Sequence, residues 1–494
     1  MPPPIGGWDT REALADMPED HAVILDNWFP STDRVTLRRG ITEFATGLSG
    51  NVETLIPYVG VSGASTLFAV NDGKIYDISS GGAIGSAVVS GLSNDRFQYT
   101  AIGTGAGQFI IAMNGADTPR TYNGSSWANA SISGPTAANL VWCQLHQRRL
   151  WFGETQSLSA WYLPVNSISG TATEFSIKGL ASRGGYIMAM GTWSRDSGAG
   201  ADDVAVFYTS EGEAVVYSGT DPSSAATWSL VGVFQIGRPI GRRCMMKAGA
   251  DLIMVTEDGF VPASKILSMD RSQAEVVALS AQINKAVNDA VRENGTTFGW
   301  QPFIYPRATM MIFNIPQSST VAHQYVFNTL TGAPCRFTGI NAFCWALKGD
   351  LAYCGGNGVV YQFDDGNSDA GTNISSDAVQ AFSYFGSPSR VKKLARIEVV
   401  FQSDGDPNAA IDINTDFQIK AATAVATASP SGSARWGIGK WGIGKWGSAD
   451  QIYRGWKGIR GYGRSMAVRV RVNTSSGRPS WIATNWLYTE GGNR

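Results

Sequence analysis

Three histidines, five cysteines and 40 acidic residues are the groups on this chain that could make or break bonds. Their spacing argues against each such chemistry in turn. His21, His146 and His323 lie far apart and outside any HExxH frame, and without a G-x-S-x-G elbow a Ser-His-Asp triad has no scaffold. The cysteines are odd in number and form no CxxC pair, and Cys335, Cys344 and Cys354 are too widely spaced for a zinc knuckle. They are expected to be buried free thiols, which fits maturation in a reducing compartment. Glycoside cleavage needs two converging carboxyl groups. The acidic residues are numerous enough to allow that, yet the sialidase-type Ser-x-Asp-x-Gly-x-Thr-Trp repeat is absent and SGTDPSSAATW at Ser218 to Trp228 has the wrong spacing. GTGAGQ, from Gly103 to Gln108, lies between strand-like segments rather than before a helix, so its glycines serve a turn and not a phosphate. Asp72, Asp258, Asp364 and Asp365 could gather a hard cation, but aspartate before glycine is hairpin chemistry and no EF-hand order is present. The expectation is a chain with no catalytic residues, no cofactor and no metal.

The strongest candidates for contact with a partner are aromatic and basic. RWGIGKWGIGKWG places Trp436, Trp441 and Trp446 five residues apart, each just after a cation: Arg435, Lys440 and Lys445. A period of five fits neither a helix stripe nor one face of a strand, so a glycine-bent loop or hairpin is expected. Its indoles either pack over a C-terminal domain or anchor an intersubunit contact, and a membrane-inserting tip is disfavoured by the glycines. Trp28 and Phe29, in an Asn-Trp-Phe-Pro corner, are a second candidate interface.

The elements that must position these residues read as strands. The chain carries 58 Gly, 20 Pro, 16 Trp, 16 Tyr and 21 Phe, a composition of turns and pleated surfaces rather than long helices. Between residues 46 and 380 short apolar strands alternate with two-residue turns at Asp72-Gly73, Asn123-Gly124, Glu211-Gly212, Asp258-Gly259 and Asn357-Gly358. Such hairpins must bury their faces on one another. An irregular β-propeller of six or seven blades does so without long exposed edges, and two β-sandwiches in series are the alternative. Ser280 to Gly295 has helical spacing at Ile283, Val287, Ala290 and Val291, and a second short helix is expected from Asp16 to Asn27.

The fold class expected is therefore all-β. Residues 1–45 form an N-terminal arm and docking segment, 46–380 the propeller-like domain, and 381–494 a C-terminal antiparallel sandwich or platform. In the last of these Met466, Val468, Val470 and Val472 share one strand face and Ala467, Arg469 and Arg471 the other, and one of the two is expected to be wet or to meet a partner. Residues 1–15 have few apolar groups, so the arm is expected to take its order from a neighbour and to be dispensable for folding. Net charge is -1 overall but +9 over residues 381–494 and -10 over 1–380. That excludes binding of nucleic acid by bulk charge alone. The start MPPPIGGWDT lacks a signal-peptide pattern, and no uncharged apolar run reaches about 18 residues, so neither standard export nor stable membrane insertion is expected.

Two segments, GGWDTREALADMPEDHAVILDNWFPSTDRVTLRRG at 6–40 and the closing run with its Trp-Gly repeats, RGWKGIRGYGRSMAVRVRV and WIATNWLYTEGG, resemble the tail nozzle or packaged-DNA stabilisation proteins of short-tailed bacteriophages. Together they cover about a third of the chain. The resemblance implies a structural virion protein: a propeller with a β-rich platform, assembled as a homo-hexameric ring under the portal and adaptor, with an axial channel that retains packaged double-stranded DNA and conducts it during ejection. It further implies assembly in the host bacterial cytoplasm, residence in the virion tail, and contacts with other tail proteins. A receptor- or glycan-binding tail module is the alternative, and a glycan hydrolase a more distant one.

Overall fold

The computed structural model describes residues 1–194, 203–266, 271, 274–422, 425 and 451–491. Seven small antiparallel sheets follow one another around an axis. Their innermost strands are Thr54–Val59, Gln98–Thr104, Leu140–His146, Ile187–Ser194, Met245–Ala248, Gln301–Tyr305 and Cys344–Lys348. Neighbouring blades touch in sequence order, and Cys344–Lys348 returns to Thr54–Val59, which closes the ring. This is a seven-bladed β-propeller. The seventh blade is completed by a strand from the other end of the chain: Ile41–Asn51 pairs with Asn357–Phe363. All five anticipated turns join adjacent antiparallel strands. At the first of them Asp72 and Gly73 both have positive φ, 52° and 66°, the geometry that makes a two-residue turn match strand twist.

The helix Asn284–Asn294 is inserted between the fifth and sixth blades and buries Val287 and Ala290. Ser280 does not cap it; its hydroxyl accepts from Phe260 N at 3.0 Å. The short helix expected from Asp16 to Asn27 does not form. His21–Asp26 is a strand, because Ala22 and Leu25 are drawn into a sheet and the β-branched Val23 and Ile24 suit it.

The C-terminal sandwich is continuous with the propeller. From the sixth blade, Pro334–Phe337 pairs in parallel with His21–Asp26, and the sheet continues through Ile374–Gln380, Met466–Thr474 and Ala410–Thr415. A second sheet faces it, built from Trp28–Pro30, Val35–Leu37, Ser480–Glu490 and Lys392–Ser403, with three short strands between Gln451 and Gly463 on its far edge. In Met466–Thr474 the expected wet face is in fact covered. Ala467 packs with Val379 and Phe382 beneath Leu14, Val23, Ile24 and Phe417, while Arg469 and Arg471 reach diagonally to Asp377 and Asp412 at 2.5 and 2.8 Å.

The N-terminal arm is sewn through both bodies and lies on other domains of its own chain. Thr484 N donates to Met1 O at 3.0 Å, Gln380 Nε2 to Pro2 O at 2.7 Å, and Gln282 Nε2 to Gly6 O and Trp8 O at 2.8 and 3.0 Å. Trp8 is buried edge-on against Tyr325 with centroids 5.2 Å apart. Asp9 holds His21 at 2.8 Å.

Where the arm turns towards the propeller, Arg38 is 1% exposed and every one of its five guanidinium donors has an acceptor. Nε donates to Asn27 Oδ1 (2.8 Å), Nη1 to Arg39 O (2.9 Å) and Asp369 Oδ1 (2.7 Å), and Nη2 to Thr338 O (3.0 Å) and Asp369 Oδ2 (2.6 Å). Two residues later Gly40 passes so close to the opposite chain that a Cβ there would lie 1.9 Å from Ser368 O.

Among the cysteines, all five are buried free thiols. The histidines are separate. His146 ends the inner strand of the third blade, buried with its Nδ1 3.1 Å from Thr192 Oγ1, and burial pushes its pKa down to about 4. His323 lies in the sixth blade, also pushed down by burial.

Three outcomes are expected. Arg38→Ala should cost about 3–5 kcal/mol in urea unfolding, since it strands Asp369, and Arg38→Lys should not restore the loss because an ammonium cannot reproduce the fork. Deleting residues 1–15 should lower the melting temperature and broaden the transition, the reverse of a dispensable arm; an unchanged melt would show that Trp8 and Asp9 contribute nothing to the core. The third is pH dependence. His146 is held neutral in the fold, so the unfolded chain binds its proton first. Its contribution is intact above pH 6.5, falls between 6.5 and about 4, and reaches about 3 kcal/mol of lost stability below that. His146→Gln should therefore lose less stability than the parent between pH 7 and 4 in parallel denaturant titrations.

Candidate binding site at the propeller axis

The seven inner strands converge on a cavity of about 320 Å³ lined from every blade, with Tyr99, Gln144, Met190 and Trp345 among the walls. Burial holds the Tyr99 phenol neutral, pushed up to about 12. Next to it, and sharing Gln98, Arg242 and Arg243, is a larger pocket of about 790 Å³ at the mouth of the axis. The loop at 295–300, which follows the inserted helix, forms one side of this pocket and the first and second blades another.

Arg243 stands between the two spaces. Its Nη2 donates to Glu53 O (3.0 Å), Thr54 Oγ1 (2.8 Å) and Phe97 O (3.2 Å), and its Nη1 lies 3.4 Å from Gln301 Oε1. A single guanidinium thus ties the first, second and sixth blades together. Thr54 Oγ1 also receives Phe97 N at 3.1 Å and donates to Asp95 O at 2.6 Å, so the hydroxyl is fully used. Burial lowers the pKa of Arg243, though an arginine stays charged.

Two further arginines complete the mouth. Arg96 pairs with Glu53 at 3.0 and 3.2 Å and lies 4.5 Å from the centroid of Phe298, whose ring Arg243 approaches to 5.2 Å. Arg242 lies 5.6 Å from the Tyr186 ring and makes one long contact, 3.4 Å, to Met188 O; burial lowers its pKa too. Of the two acids, Glu53 is taken by Arg96, and Asp95 accepts from Gly73 N at 2.9 Å, its pKa raised by burial. The mouth is a concave, aromatic-walled set of guanidinium donors. It is equipped to hold an anion by charge and by planar hydrogen bonding.

The interface candidates fall elsewhere. Trp28 is fully buried edge-on to Trp481 at 6.5 Å, and Phe29 is buried against Phe337 at 6.4 Å, which removes both from any surface open to a partner. They are buried because the corner after Asn27, with φ 62°, aims them into the seam between sandwich and propeller. Arg435, Trp436, Lys440, Trp441, Lys445 and Trp446 lie outside the described residues. Just beyond that stretch, Ile452, Trp456 and Tyr462 on the far edge of the second sheet, and Leu487 on its interior strand Ser480–Glu490, are exposed at 56, 46, 69 and 51%. The four aspartates find ordinary partners or turns: Asp258 holds Arg271 at 2.8 Å and Asp365 accepts from Thr42 Oγ1 at 2.8 Å, while Asp72 and Asp364 occupy left-handed positions.

Sequence reasoning did not find the axial arginines. A signal existed: between Asp221 and Asp251 the chain has no acidic residue but carries Arg238, Arg242, Arg243 and Lys247. Local charge of that kind without local counter-charge asks for a partner from elsewhere.

No family model matches the sequence. No curated protein matches it either. Among solved structures the chain is similar to the computationally designed Ika8 protein, at 12% identity and TM-score 0.37 over 65% of this chain and 99% of that one. It is also similar to BBS1N in complex with ARL6DN, at 10% identity and TM-score 0.41 over 66% of this chain and 97% of that one. A third is YCF48 from Cyanidioschyzon merolae, at 10% identity and TM-score 0.36 over 68% of this chain and 97% of that one.

Proposed function

We propose that this chain is a structural component of a short-tailed phage tail, a nozzle or hub whose copies form a ring around an axial DNA channel. In this reading the ring is a hexamer beneath the portal and adaptor. It assembles in the host bacterial cytoplasm, retains packaged DNA and conducts it during ejection. It makes and breaks no bond, so the chain is not an enzyme.

The observation that carries the reading is the outer face of the second sandwich sheet. Trp456, Tyr462, Ile452 and Leu487 stand exposed there among Lys393, Arg396 and Arg460. Exposed aromatics set among cations make the kind of surface that protein interfaces use as anchors. The face belongs to the +9 part of the chain, whereas residues 1–380 carry -10. Opposite charges on two parts of one chain favour contact of unlike surfaces between copies, and such head-to-tail contacts make a ring where their rotation closes. The resemblance of residues 6–40 and of the closing segment to nozzle proteins supports the same reading.

A receptor- or glycan-binding tail module is the second reading, and the aromatic mouth of the propeller favours it. Negative-stain imaging of the purified protein, with its mass in solution, separates the two. A six-fold ring that dissociates in Trp456→Ala/Tyr462→Ala and weakens in 0.5 M salt, a concentration chosen to shrink the Debye length to roughly 4 Å, is the expected result. A monomer or trimer that adheres to host cells would overturn the nozzle in favour of the receptor module.

A further inference from the structure

We infer that the mouth of the propeller axis is a binding site for a monoanionic organic carboxylate, seated against Arg242 between the rings of Tyr186 and Phe298. The inference is independent of ring assembly.

The argument starts from charge. Three guanidiniums face the mouth pocket, and two carboxyl groups, Glu53 and Asp95, line it. The surplus is one positive charge. Arg96 is neutralised by Glu53, and Arg243 is spent on backbone and hydroxyl acceptors of three blades. Among the described residues Arg242 has a single 3.4 Å contact to a carbonyl and no carboxylate, although it sits deep enough for burial to disfavour its charge. A half-buried guanidinium without an anion is costly, and an incoming carboxylate would satisfy it in the bidentate geometry that planar donors prefer.

Shape gives the rest. About 790 Å³ is the volume of a small-molecule site and far exceeds what a bare inorganic ion needs. Apolar side chains, Val141, Met188, Tyr186, Phe298 and the buried Trp300, share its wall with the charged and amide groups. Phe298 is itself fixed between Arg96 and Arg243, so one aromatic wall is in place before any ligand arrives. Glu53 and Asp95 also line the pocket and would repel a second negative charge, which favours a carboxylate over a phosphate dianion.

The test is isothermal titration of the full chain with glucuronate and benzoate, against glucose and benzyl alcohol as neutral counterparts and glucose 6-phosphate as the dianion. At least one carboxylate should bind saturably, and at least about tenfold more tightly than its neutral counterpart, since a hydrogen bond to a charged group is worth about 1.5–3 kcal/mol. Arg242→Ala should weaken that binding by a similar factor while leaving the melting temperature and the oligomeric mass as in the parent. Should Arg242→Ala unfold, Arg242→Met keeps the aliphatic stem and serves in its place. No saturable binding of either carboxylate, equal binding of the neutral probe, or undiminished binding by the folded variant would overturn the site. Tighter binding of glucose 6-phosphate would overturn the choice of carboxylate. Oligomeric mass is read separately, so failure of the ring and failure of the site cannot be confused.

Discussion

The structure turns on one saturated guanidinium. Arg38 lies where the chain leaves the sandwich for the propeller, and its five bonds reach Asn27 at the end of one sandwich strand, Thr338 just past the sixth blade and Asp369 on the exit from the seventh. A charge this deeply buried is tolerated only when all its donors are satisfied together. Each acceptor therefore constrains the position of the other segments. Asn27 repeats the logic from the other side: its Nδ2 donates to Thr338 Oγ1 and Ser375 O, while its Oδ1 accepts from Arg38 and from Thr338 N. The seam between the two bodies is thus a polar lock set within a continuous apolar core that runs from Trp8 and Trp28 through Phe337 and Phe363 to Trp481.

That lock gives physical content to the sequence of residues 6–40. Asn27, Trp28, Phe29, Arg38 and Gly40 are the residues that make it legible as a motif, and all five are buried packing or hydrogen-bonding positions. Gly40 is required by a backbone approach that no side chain would survive. A motif of this kind records how a chain threads two domains. It says nothing of which surface meets a partner, and for that reason Trp28 and Phe29 stand out in the sequence yet lie buried, away from any open surface.

The parts of the fold that were legible were local. Asp-Gly, Asn-Gly and Glu-Gly turns announce hairpins because the glycine takes the positive φ that other residues rarely adopt, and the alternation in Met466–Thr474 announces a strand. What escaped was long-range. Nothing in ITEFATGLSGN says that it completes a blade more than 300 residues away, since its pairing is with backbone, which carries no sequence signature. The strand His21–Asp26 was misread as helix for a related reason: Pro18 and Glu19 are good first-turn residues, and only the sheet edges waiting at Pro334–Phe337 and Ile374–Gln380 decide otherwise. The axial arginines were missed because their acceptors are carbonyls from other blades.

Those arginines also show why neighbouring residues of one type need not share a role. Arg243 is fixed by acceptors from three blades, so the ring of inner strands could not shift without breaking its bonds. Arg242, one residue earlier, borders the same two cavities but meets an aromatic ring and one distant carbonyl. A propeller axis gathers the ends of seven strands, and the polar groups there must be satisfied by one another or by something that enters. Arg243 represents the first solution. The incomplete coordination of Arg242, beside a pocket already walled by Tyr186 and Phe298, is what distinguishes a site awaiting a ligand from a core that has closed on itself.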